Sequence, residues 1–132
     1  MASSFLDPSA PVVDRIALDS LIEMFGDDDM EAVIDLLDTF LTESQKQVNA
    51  IRTSFDAGDI TTLHRMAHSL KSSSATFGAA RLSAACAHLE KAAKDGCSGE
   101  GCAELLPIVF DEQEQAAQVL TAERAKLSGV LK

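Results

Sequence analysis

The chain has 132 residues, of which 46% are hydrophobic and 24% charged, with no Trp or Tyr; that is enough apolar material for one domain with one core, and too much for a disordered chain. Eleven basic residues stand against 21 acidic ones, a net charge of −10, so phosphate backbones and anionic lipid would repel it and neither nucleic acid nor membrane is expected as a partner. No run approaches the roughly 18 apolar residues of a membrane span. The first residues, MASSFLDPSAPVVD, have neither a basic leader nor an apolar segment, and a cytoplasmic location is expected.

Residues 1–13, with Pro8 and Pro11 among small residues, read as an irregular arm, and 14–132 as the folded domain. A short helix is expected at 14–25, where Ile16, Leu18, Leu21, Ile22 and Phe25 cluster before Gly26. Asp27, Asp28 and Asp29 then suit the start of the next helix, where carboxylates can cap free amides and meet the positive end of the helix dipole. From Met30 the positions Val33, Leu37, Phe40, Ser44, Val48, Ile51 and Phe55 recur at three- and four-residue steps, the signature of one long amphipathic helix.

Gly58 is placed to end that helix and Asp59 to cap another over 60–76, whose inward stripe is Ile60, Leu63, Ala67, Leu70 and Ser74. Gly78 supplies a tight reversal, and Leu82, Ala85, Cys86, Leu89 and Ala93 mark a fourth helix that must lie antiparallel to the third. After a Gly-rich stretch, Leu106, Val109, Ala116, Leu120 and Leu127 mark a last helix over 102–128, with Pro107 in its first turns. The expected fold is all-α: an antiparallel four-helix bundle with an additional short N-terminal helix. Of the three cysteines, Cys86 falls in a core stripe while Cys97 and Cys102 lie in the Gly-rich loop; reduced thiols are expected, with a Cys97–Cys102 bridge under oxidation as the alternative.

The chemically suggestive segment is Ala67-His68-Ser69-Leu70-Lys71-Ser72-Ser73-Ser74. A helix turns about 100° per residue, so His68, one step from Ala67, falls at the border of the apolar stripe. Lys71 and Ser72 share its face at i+3 and i+4, and His64 lies one turn before it. Acyl transfer would want a Ser or Cys nucleophile with an oxyanion hole, and proton abstraction a second acid or base. Phosphoryl transfer requires less: a nucleophilic nitrogen in line with phosphorus, and positive charge near the equatorial oxygens. Imidazole side chains are to a large degree neutral at cellular pH, and Lys71 supplies the charge.

His68-Ser69-Leu70-Lys71, followed by Ser73, Gly78, Leu82, Cys86 and Leu89-Glu90, resembles the pattern of histidine-containing phosphotransfer (HPt) domains: His-x-Leu-Lys-Gly-Ser, then Gly, Leu and a Leu-Glu or Leu-Gln pair. Leu36-Leu37-Asp38-Thr39-Phe40-Leu41 and Gly58-Asp59 also look like that family, so the resemblance runs from about residue 14 to 95. It implies that His68 is the phosphorylated residue, that Lys71 is the cation beside the phosphoryl group, that Ser73 helps to position the site, and that Glu90 hydrogen-bonds the imidazole. It further implies a phosphorelay protein that takes a phosphoryl group from a phospho-aspartate receiver domain of a hybrid sensor histidine kinase and passes it to a response regulator. The expected state is a monomer with no cofactor of its own, Mg²⁺ being carried by the partner receiver. The chain departs from the pattern at Ser72, where the family usually has Gly.

Two other readings compete. His64 and His68 at i and i+4, with His88 or Cys86, could ligate a metal; against this, no Glu follows His64 and Lys71 stands within one turn. A bundle that only binds another helical protein is the second. The sequence has no Gly-rich phosphate loop, Walker-type lysine motif or acidic magnesium pocket, so no kinase activity is expected.

Overall fold

The computed structural model describes residues 11–25, 29–96 and 101–130. They form α1 (Arg15–Phe25), α2 (Met30–Asp56), α3 (Ile60–Thr76), α4 (Ala80–Lys94) and α5 (Gly101–Val130). The four long helices pack in a ring, each against its neighbours in sequence, and α5 closes against α2; α1 lies against α2 and α3. The core is the sum of their inward stripes. Leu37, Ile51, Leu63, Leu70, Leu82, Leu89, Val109 and Leu120 are fully enclosed, and burial of each such side chain contributes on the order of 1.5–3 kcal/mol.

Both tight reversals follow from glycine. Gly58, at φ 73°, ends α2, with its amide on the Phe55 carbonyl and the Asp59 amide on that of Ser54, the paired bonds of a Schellman ending. Asp59 then caps α3, accepting from the Thr62 amide at 3.1 Å and the Thr62 hydroxyl at 2.6 Å. These bonds hold its carboxyl below the usual range. Gly78, at φ 76°, repeats the device between α3 and α4. It has a second duty: its carbonyl accepts the Asp14 amide at 2.6 Å, and a Cβ there would meet the Asp14 oxygen at 2.6 Å. The start of α1 is thereby fixed on the α3–α4 turn.

Several expectations need correction. Ile16, placed in the stripe of α1, is 79% exposed, because Leu18 and Leu21 already define the buried face of so short a helix. Asp29 stands at the N-cap of α2, yet its side chain makes no capping bond; Asp27 and Asp28 lie outside the described residues. Val13, read as part of the irregular arm, has irregular backbone but a buried side chain. Cys102 is buried in the first turn of α5 and is disulfide-bonded, in place of the expected reduced thiol; Cys97 lies outside the described residues.

The core also holds polar groups. Gln113 of α5 donates to the Ser44 hydroxyl at 3.2 Å, and Ser44 in turn donates to the Leu41 carbonyl at 3.3 Å. That explains why Ser44 can occupy an apolar step of α2. Glu112 is buried and takes the guanidinium of Arg81 at 2.9 Å.

Candidate functional site

The α3–α4 pair carries the site. Ala67 and Leu70 are sealed in the core, which turns His68 outward, and its side chain is 60% exposed. Across the seam, burial of Leu89 brings Glu90 to the edge facing α3. The seam is tied just above this level by the Ser83 hydroxyl, which donates to the Lys71 carbonyl at 3.0 Å.

Glu90 serves two side chains of α3 at once. His68 Nδ1 bonds to its Oε2, and Lys71 Nζ donates to its Oε1 at 2.6 Å. The Lys71 ammonium, helped by the His68 contact, holds the Glu90 carboxyl below the usual range against the opposing effect of desolvation. An ionised carboxylate can only accept, so Nδ1 is the protonated ring nitrogen. In the neutral ring the lone pair is then on Nε2, the nitrogen that Glu90 does not take. A partner that selects a tautomer in this way prepares one defined nitrogen for chemistry.

The structure thus brings together three of the four residues singled out from the sequence. It does not bring Ser73: its hydroxyl bonds back to the Ser69 and Leu70 carbonyls of its own helix, at 3.1 and 3.3 Å. Ser72, in the place of the usual Gly, is exposed. Cys86 is enclosed in the core, where burial pushes its thiol up to about 12.

His68 opens onto a groove of about 620 Å³ lined also by His64, Glu90, Lys91, Lys94 and Asp95. The sequence reading left Lys91 and Lys94 unassigned. The signal was available: Lys94 follows Glu90 by four residues, which places it one turn along the same helix face.

Among the described residues no helix is long and apolar enough to cross a membrane. No curated protein sequence matches the chain. Among solved structures it is similar to the histidine-containing phosphotransfer protein B of Pseudomonas aeruginosa, at 31% identity and TM-score 0.79, over 89% of this chain and 98% of that one. A rice protein described as a histidine-containing phosphotransfer protein aligns with TM-score 0.73 at 21% identity, over 91% of this chain and 86% of that one. ZmHP2, a phosphotransfer protein from maize, aligns with TM-score 0.77 at 19% identity, over 99% of this chain and 94% of that one. These two show a shared fold. The Hpt domain family model matches residues 35–126, which hold α3, α4 and the whole His68 constellation. With most of its length inside that match, the chain belongs to the Hpt domain family, the family of histidine-containing phosphotransfer proteins.

Proposed function

We propose that this chain carries a phosphoryl group on Nε2 of His68, receiving it from a phospho-aspartate of a hybrid kinase's receiver domain and passing it to the aspartate of a response regulator. The observation that supports this most is the exposed imidazole whose Nδ1 is bonded to Glu90 while Lys71 closes the other side of the same carboxylate.

The Nε2 lone pair attacks phosphorus, the N–P bond forms, and the bond from phosphorus to the aspartyl oxygen breaks, releasing a carboxylate. The ring is then a phosphoimidazolium that still carries its Nδ1 proton, and the Glu90 carboxylate offsets the new positive charge. Transfer onward reverses each change: an aspartyl oxygen of the next receiver attacks phosphorus and the electron pair returns to Nε2. Differential stabilisation of the charged ring is what such a carboxylate adds. Mg²⁺ belongs to the receiver in this scheme, and the chain acts as a cytoplasmic monomer.

The test is to charge an isolated receiver domain with phosphate and follow label onto the wild-type chain and onto His68→Gln. Acid-labile, base-stable label on the wild type alone supports the reading.

A further inference from the structure

We infer that Lys91 and Lys94 form a second cationic flank of the His68 groove, which draws in the phosphorylated aspartate of the partner before the transfer step. The inference rests on the phosphotransfer reading above and adds to it the residues that govern encounter.

Lys71 cannot fill that role alone, because its ammonium is held at 2.6 Å by Glu90. It lies on one side of His68, one turn toward the C-terminal end of α3. On the other side, the antiparallel run of α3 and α4 sets His64 level with the C-terminal turn of α4, and Lys91 and Lys94 line the groove there together with His68. Both lysines are exposed, and among the described residues neither side chain makes an ion pair or hydrogen bond.

Charge makes the placement matter. The whole chain is at −10, so a dianionic phospho-aspartate approaching most of its surface meets repulsion. Around His68 the balance reverses: Lys71, Lys91 and Lys94 stand against Glu90 and Asp95. A locally positive groove on an acidic protein steers an anionic partner to the one face where His68 is exposed. The plainer role for two lysines in the last turn of α4 is to complement the helix dipole. That role affects stability, and it predicts nothing about association rates.

The experiment uses the full chain and an isolated receiver domain of the same organism that labels the wild type, charged with acetyl phosphate. In Lys91→Gln/Lys94→Gln the second-order transfer rate at about 20 mM salt should fall roughly 3- to 10-fold, and the gap should close toward about 0.5 M salt. The first-order rate at saturating receiver should stay at the wild-type value, and Lys91→Arg/Lys94→Arg should restore association. Wild-type second-order rates and salt dependence in the Gln variant, with or without a lower melting temperature, would overturn the inference and leave the dipole role. A wild-type chain that accepts label from no receiver would overturn the phosphotransfer reading itself, and the inference with it.

Discussion

Glu90 on α4 holds Lys71 on α3 by a direct ion pair, Nζ to Oε1 at 2.6 Å, while the other oxygen of the same carboxylate takes His68. Lys71 is therefore poised between two anions once His68 is phosphorylated, and Glu90 is then balanced by the lysine on one oxygen and by the charged ring on the other.

Removing the lysine should slow transfer for two reasons: the phosphoryl oxygens lose a cation, and Glu90 loses one of its two counterions beside them. Lys71→Ala should reduce the single-turnover rate at saturating receiver by roughly 5- to 30-fold, about 1–2 kcal/mol. Adding Glu90→Gln to that variant should recover part of the loss, because it removes the repulsion between the carboxylate and the phosphoryl oxygens. Wild-type rates in Lys71→Ala would make Lys71 a solvated helix residue.

The depressed Glu90 carboxyl gives a pH signature. A group whose folded value lies below its ordinary 4.5 contributes stability that is complete above the unfolded value and fades as pH falls through the folded one. Denaturant unfolding of the wild type and Glu90→Gln, compared from about pH 6 down to about pH 3, should show a constant gap at the upper end that shrinks at the lower. A gap that widens on acidification would mean that the carboxylate is not stabilised by its two partners.

Gly78→Ala tests the turn that joins α1 to the α3–α4 reversal. Alanine there meets a positive φ and an Asp14 oxygen at 2.6 Å from its Cβ. The expected loss is about 2 kcal/mol, or roughly 6–10 °C in Tm by thermal unfolding. Gly58→Ala, where a Cβ finds open space, should cost less, on the order of 1 kcal/mol. Equal losses would mean that the Asp14 contact carries no weight.

The stripe Leu63, Ala67, Leu70 and Ser74 was legible because a single helix face repeats every three or four residues, and all four are buried as its spacing requires. The same periodicity turned His68 outward, and the step from Leu89 to Glu90 placed an acid on the facing edge. Polar pairing across long stretches of chain was not legible. Gln113 meets Ser44 from 69 residues away, and Glu112 meets Arg81 from 31, and no local pattern announces such partners. The tie between Lys71 and Glu90 was not legible either, because spacing along α3 shows only its own helix and this contact comes from α4. Ile16 misled for the same reason, since a short helix with few apolar positions does not reveal which of them its neighbours cover.

Site-resolved phosphorylation shows whether His68 is the residue that carries the phosphoryl group. The wild type, His68→Gln and the groove neighbour His64→Gln are each incubated with a charged receiver, and acid-labile, base-stable phosphate is then quantified on the intact chain. Full labelling is expected of the wild type, most of it retained in His64→Gln, and none in His68→Gln with its helical content and melting temperature near wild type. Label persisting on a folded His68→Gln chain, or lost equally from both variants, would contradict the assignment of His68.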